Sequence, residues 1–161
     1  MTGKLNIVIL GSGIAGTGHA TSFSQLPNVE VAALWSRTRS RAEALVDKLK
    51  LANPQVYDSW QELVEQADVQ IVTIATPEFL RREPLAMALA RGCHVLVEKP
   101  LGVELEDAQE LVRLAEAAEA VTAACYVWRY APGTQAAWQA MQDGRIGRLL
   151  DVRMEWLARV N

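Results

Sequence analysis

The sequence is poor in the residues that build metal centres and disulfide frameworks, with two cysteines and two histidines among its 161 residues. Cys93 and Cys125 fall in two predicted strands that are expected to be parallel neighbours, Cys93 opening one and Cys125 near the end of the other. An offset of about four residues at about 3.3 Å each gives about 13 Å, beyond the ~7 Å Cα separation a disulfide tolerates. Both are read as buried thiols. His19 and His94 have no spacing that would complete a metal site with them, so no metal is expected. Long apolar runs are also missing, and nothing approaches the roughly 20 residues that span a bilayer. Met1-Thr2-Gly3-Lys4 leads straight into a short apolar strand without a signal-peptide core. Cytoplasm is the expected location, with no membrane contact. Positive charge is not in surplus either. Sixteen basic residues face nineteen acidic ones, a net charge of −3, which gives nucleic acid no general attraction. No repeat or low-complexity linker interrupts the chain.

What remains is an ordinary globular composition, 50% hydrophobic and 22% charged, in a length suited to one domain. Its pattern alternates. Leu5–Leu10 is an almost continuous apolar run, as a strand buried on both faces requires. Glycines follow, then a helical stretch to about Leu26. Val29–Trp35 is a second strand, and Ala42, Leu45, Val46 and Leu49 mark the next helix at 3.6-residue spacing. A short strand at Gln55–Tyr57 precedes Ser59-Trp60-Gln61-Glu62, a capping box opening a third helix. Val69–Ala75 is the fourth strand, and the helix after it runs to Arg91 with Gly92 as its C′ residue. Cys93–Val97 is the fifth strand. A helix with Leu105, Ala108, Leu111, Val112, Ala115 and Ala118 on one stripe precedes a sixth strand at Val121–Tyr126. A last helix runs from Pro132 to Asp143-Gly144. About six strand–helix alternations predict an α/β fold, a Rossmann-type doubly wound parallel sheet with right-handed crossovers.

The chain ends differently. Leu150, Val152, Met154, Trp156 and Ala158 alternate with Asp151, Arg153, Glu155 and Leu157, the pattern of a strand with one wet face. Residues 1–131 are therefore expected to form this Rossmann-type domain. Residues 132–161 would be a connecting helix and the first strand of a second, α+β domain that is otherwise missing. The uncovered apolar face of that strand predicts a homodimer.

Gly11-Ser12-Gly13-Ile14-Ala15-Gly16 is a G-x-G-x-x-G between the first strand and the first helix. Gly11 allows the tight turn, Gly13 lets the backbone approach a pyrophosphate, and Gly16 lets helix and strand pack closely. The helix N-terminus, at Ile14 and Ala15, faces the phosphate charge. Such a loop also arises for structural reasons alone, but its place between first strand and first helix points to a dinucleotide. An NAD-preferring site usually has an acid after the second strand. Here the stretch reads Trp35-Ser36-Arg37-Thr38-Arg39-Ser40-Arg41. Arginines at a helix N-terminus oppose its dipole unless an anion joins them. Ser36, Arg37, Thr38 and Arg41 therefore predict a 2′-phosphate, hence NADP with NAD as the alternative, while a solvated basic turn is the plainer reading. Glu98-Lys99-Pro100 ends the fifth strand on the ligand edge, where Lys99 would meet a substrate hydroxyl as general base or positioning group; a surface Glu–Lys pair before a proline is equally compatible. His19 is expected at an exposed or locally bonded helix position, and Trp35, Trp60, Trp138 and Trp156 as packing residues.

The glycine loop, Ala75-Thr76-Pro77, Glu98-Lys99-Pro100 and Trp128-Arg129-Tyr130-Ala131-Pro132, in that order and spacing, resemble the Gfo/Idh/MocA family, named for glucose–fructose oxidoreductase, inositol dehydrogenase and a rhizopine-catabolism protein. The resemblance covers essentially the whole chain. It implies that Lys99 lies by the nicotinamide and the substrate hydroxyl, that Ala75, Thr76 and Pro77 flank the cofactor, and that Glu98, Trp128 and Arg129 approach its nicotinamide end. It further implies hydride transfer between NADP(H) and a hydroxyl or carbonyl carbon of a sugar- or polyol-like substrate. This chain departs from the family in carrying Phe79-Leu80-Arg81-Arg82 where a histidine commonly follows Thr-Pro. The family's second domain supplies further catalytic residues and most substrate contacts, so the 161 residues are expected to bind cofactor with little turnover alone. A non-catalytic regulatory or scaffolding module is the alternative, and an enzyme completed by two chains sharing a site is a third.

Overall fold

The structure, a computed structural model, describes residues 4–52 and 54–155. Strand β1 (Leu5–Leu10) leads into α1 (Ile14–Ser24), followed by β2 (Val29–Trp35), α2 (Arg39–Leu49), β3 (Gln55–Tyr57) and α3 (Trp60–Gln66). Then come β4 (Ile71–Ile74), a 3₁₀ turn (Glu78–Leu80), α4 (Arg82–Ala90), β5 (His94–Glu98), α5 (Leu105–Glu116) and β6 (Thr122–Cys125). The strands form a six-stranded sheet in the order β3-β2-β1-β4-β5-β6. Every pairing is parallel. This is the doubly wound order whose direction reverses between β1 and β4, and ligands of such sheets bind beyond the strand C-termini at that crevice.

β1 shows why the sheet takes helices on both faces. Ile7 and Ile9 join one core cluster with Ala20, Val31, Ala42 and Leu45. Val8 and Leu10 join the other with Trp60, Leu63, Ile74 and Leu85. All four β1 residues are fully buried, each contributing roughly 1.5–3 kcal/mol of transfer free energy. β2 does the same with one irregularity. Its register against β1 skips Ala32, because Ile7 pairs with Val31 and Val8 with Ala33. Since side chains alternate in a strand, the extra residue reverses parity. Val29, Val31 and Leu34 therefore share one cluster, while Ala33 and Trp35 share the other.

Local chemistry sets the element ends. α3 is capped at Ser59, whose hydroxyl accepts from the Glu62 N–H. The reciprocal bond of the expected box, from the Ser59 N–H to the Glu62 carboxylate, is not formed, and the Ser59 hydroxyl also donates to Gln61 Oε1. The full box occurs at α5, between Glu104 and Asp107. Gly92, at φ +72°, closes α4 as expected. The fourth strand is shorter than its apolar run, and the fifth is shifted by one residue to include Glu98. The α5 stripe is only partly covered: Leu111 is buried, whereas Leu105 and Val112 are exposed. Both cysteines are free. Cys93 is buried, but Cys125 is only partly so, on strand β6, which among the described residues is an edge of the sheet.

The described chain divides into two compact units, one up to Cys125 and one from Tyr126. The second contains a 3₁₀ turn (Val127–Tyr130) and α6 (Pro132–Gln142), with Pro at the start of the helix and Gly144 at φ +67° just after it. The strand expected from Leu150 is not formed over the described residues. Positions 150–155 are irregular, with Leu150, Val152 and Met154 exposed. A strand exists only through its ladder partners, and alternation cannot supply a partner. Trp156 and Ala158 lie outside the described residues. Trp35 and Trp60 are packing residues as expected, whereas Trp138 is half exposed. Among the described residues no helix is long and apolar enough to cross a membrane.

Candidate cofactor site

Strand register brings the predicted segments to one edge. Leu10 is level with Trp35 on one side and Ile74 on the other, and Ile74 is level with Val97. The residues that follow, Gly11, Ser36, Ala75 and Glu98-Lys99, therefore leave the sheet side by side. Gly11 N–H donates to Trp35 O at 2.7 Å, and Ala75 N–H donates to Leu10 O at 2.9 Å. Ser12 Oγ donates to Ser36 Oγ at 2.7 Å, tying the glycine loop to the end of β2.

The three motif glycines have different causes. Gly11 sits at φ +110°, and an added Cβ would lie 2.6 Å from Ala75 O. At Gly16 a Cβ would stand 1.9 Å from Gly11 O, so loop and helix touch there through backbone alone. At Gly13 a Cβ would meet nothing within 4 Å, and φ is an ordinary −72°. The protein does not require glycine at position 13, but a ligand lying against that backbone would. Gly13 also caps α1 with no side-chain hydrogen bond and no acid in the first turn. The N–H groups of Ile14 and Ala15 are thus open to an anion, in the field of the helix dipole. These features fit a dinucleotide pyrophosphate.

At the head of α2, Thr38 makes no side-chain cap and no acid occupies the first turn. Arg39 is engaged elsewhere, with Glu43 Oε1 at 2.8 Å and Asp58 Oδ1 at 2.8 Å. Those partners, Asp58 first, hold its guanidinium above the ordinary arginine range. Arg37 and Arg41 have no ion-pair partner among the described residues, and with Ser36 and Thr38 they form the basic end of the edge.

The other end is the Glu98–Lys99 corner. Lys99 is exposed, and its side chain has no ion-pair partner among the described residues; the Lys99–Pro100 peptide is cis. Glu98 is buried, at 8% exposure, and is not a surface mate of Lys99. Its Oε2 accepts from the Lys99 backbone N–H at 3.1 Å, and its Oε1 faces His19 Nε2 at 3.1 Å. His19 Nδ1 lies 2.5 Å from Thr73 Oγ1 in β4. An ionised carboxylate can only accept, so Nε2 carries the proton toward Glu98, and in a neutral ring Nδ1 accepts from the Thr73 hydroxyl. His19 is thus buried and bonded across the sheet, against the exposed or locally bonded position expected for it. The reason is its place on the inward stripe of α1 with Gly16 and Ala20. That spacing was legible and is what sequence reasoning missed.

Cys125, level with Glu98 on β6, has its Sγ 3.5 Å from His19 Nε2. The ligand atoms of His19, Glu98 and Cys125 lie within 4.8 Å of one another and are close enough to hold a cation. Burial first, then the Glu98 carboxylate, pushes the Cys125 thiol up to about 11, opposed by Lys99. Without a cation beside it the thiol therefore stays protonated at neutral pH.

Arg81 was also missed. It is 4% exposed, with Nε and Nη2 donating to Thr76 O at 3.1 and 2.9 Å and Nη1 to Glu98 O at 2.6 Å. Burial lowers its pKa, with Glu78 and Glu98 opposing. Thr76 is itself buried, and its hydroxyl donates to Leu80 O. No spacing signal marks an arginine as buried. Trp128 and Arg129 lie in the 3₁₀ turn of the second unit.

Fold and edge together define an α/β dinucleotide-binding unit. Residues 5–126 match the model of the Gfo/Idh/MocA oxidoreductases with an NAD-binding Rossmann fold, and the chain belongs to this family. It is 31% identical over 151 residues to trans-1,2-dihydrobenzene-1,2-diol dehydrogenase of Mus musculus, covering 92% of this chain and 44% of that one. It is 30% identical over 146 residues to D-glucoside 3-dehydrogenase of Escherichia coli, covering 90% and 41%. Among solved structures it resembles myo-inositol dehydrogenase of Lactobacillus casei in complex with NAD(H) and myo-inositol. There the TM-score is 0.82 at 25% identity, over 89% of this chain and 43% of that one. The chain thus spans less than half the length of these relatives.

Proposed function

We propose that this chain is the cofactor-binding part of an NADP-preferring oxidoreductase acting on a hydroxyl or carbonyl carbon of a sugar- or polyol-like substrate. The observation that carries the reading is the open backbone at Gly13, at the head of an uncapped α1, two residues beyond Gly11, which leaves the sheet beside Ser36, Ala75 and Glu98-Lys99. Nothing in the protein's own packing requires that combination. Gly13, Ile14, Ala15 and Gly16 would hold the pyrophosphate; Ser36, Arg37, Thr38 and Arg41 the adenosine 2′-phosphate; and Ala75, Thr76 and Pro77 the wall beside it. When bound, the nicotinamide supplies the hydride chemistry.

Lys99 orients the substrate hydroxyl and holds or moves its proton at Nζ, with no carboxylate paired to it among the described residues. The resemblance supports placing Trp128 and Arg129 toward the nicotinamide end. Relatives that act on inositols and glucosides support the substrate class. Residues 1–131 serve the cofactor on this reading, and residues 132–161 lead toward substrate binding and self-association. The test is calorimetric titration of the 161-residue chain with NADPH and NADH. Binding of NADPH is expected, and the absence of heat with either at millimolar concentration refutes the proposal.

A further inference from the structure

Two segments of the edge serve different partners on the reading above: Thr76-Pro77 the cofactor, and Glu98-Lys99 the substrate. A single side chain joins them. The guanidinium of Arg81 spends its donors on backbone carbonyls: Thr76 O twice, Glu98 O at 2.6 Å and, more loosely, Lys99 O at 3.5 Å. It makes no ion pair among the described residues. A planar, rigid fork can hold carbonyls of two chain segments at once, which a lysine ammonium on a flexible stem does poorly. From the other side Glu98 reaches back to the Lys99 N–H while His19, anchored on Thr73, holds the carboxylate. The Lys99 peptide is therefore gripped at both its N–H and C=O by buried groups, although its side chain is exposed. Breaking either grip would leave buried polar atoms without partners.

We propose that Arg81 is a positioning residue, locking the Thr76 carbonyl to the Glu98–Lys99 carbonyls so that the cofactor wall and the reactive lysine form one rigid piece, with His19 completing the lock through Glu98. The inference rests on the role given to Lys99 under Proposed function.

The test compares wild type with Arg81→Lys, Arg81→Met and His19→Leu, each first checked by thermal melting. NMR-detected exchange of the Lys99 amide in the cofactor-free chain is the first readout. It should quicken roughly tenfold in the Arg81 and His19 variants, as expected for loss of about one hydrogen bond, while β1 amides keep their rates. The second is acetylation of Lys99 followed by mass spectrometry with and without NADPH. Protection by the cofactor should fall in Arg81→Lys, while its NADPH dissociation constant stays within about threefold, because the phosphate-binding loops are untouched. A merely structural arginine would lower melting temperature without separating these two quantities. Unchanged Lys99 exchange and unchanged protection in a folded Arg81→Lys or Arg81→Met chain overturn the proposal. Should wild type bind no NADPH, the functional reading fails, and the exchange rates alone then decide the lock.

Discussion

Substituting Gly13 and Gly16 separately should disconnect cofactor binding from folding. At Gly16 an alanine Cβ would stand 1.9 Å from Gly11 O, where ordinary contact begins near 3.4 Å. Helix and loop must then part by 3.4 − 1.9 = 1.5 Å in a backbone contact that no rotamer change can relieve. Overpacking of this kind costs about 1–3 kcal/mol or more, and at roughly 2–4 °C per kcal/mol for a chain of this size the upper end lowers the melting temperature by about 6–12 °C. At Gly13 nothing lies within 4 Å and φ is −72°. Valine there loses a favourable cap residue and little else, about 1 kcal/mol or less. Its two methyl groups nonetheless fill the space left for a pyrophosphate, and excluding that group should weaken NADPH by about a hundredfold, roughly 2.8 kcal/mol. Scanning calorimetry and titration on both variants decide. Gly13→Val should melt near wild type and bind NADPH about a hundredfold more weakly, whereas Gly16→Ala should melt early. If Gly13→Val binds NADPH within threefold of wild type, the open backbone is not the phosphate site and the argument fails.

Ser36→Asp with Arg37→Ala should turn preference from NADP toward NAD, by adding a ribose acceptor and a charge that repels 2′-phosphate; equal affinity of the unmutated chain for both cofactors would reduce the arginines to a solvated turn. In an active form of the enzyme, Lys99→Met should depress turnover strongly and leave the NADPH dissociation constant within a few fold, and near-normal turnover would return Lys99 to a structural role. Leu150, Val152 and Met154 are exposed and unpaired in this chain, so light scattering should find a dimer in which the segment gains its ladder, and Met154→Lys with Trp156→Glu should dissociate it; a monomer at high micromolar concentration would refute this. With its thiol pushed up to about 11, Cys125 should be alkylated at pH 8 roughly a hundredfold more slowly than an unperturbed cysteine, because only the thiolate reacts, and ordinary reactivity by mass spectrometry would contradict the burial described.

The sequence alone determined what repeats or recurs locally. The apolar run of Leu5–Leu10, the 3.6-residue spacing of α2 and the G-x-G-x-x-G loop each depend on near neighbours, and the strand–helix alternation then leaves few ways to wind a parallel sheet. The edge residues were legible for the same reason, since each follows directly on a strand. Tertiary structure decided the rest. The bulge at Ala32 sets which β2 residues face which helices, and no spacing announces it. Segment 150–155 alternates like a strand, yet its ladder depends on a partner that alternation cannot provide. His19, Glu98 and Arg81 are distant in sequence and meet only because β4 and β5 lie beside each other under α1. Burial, which depends on the whole sheet, is what turns a helix histidine and a loop arginine into partners of the Glu98–Lys99 corner.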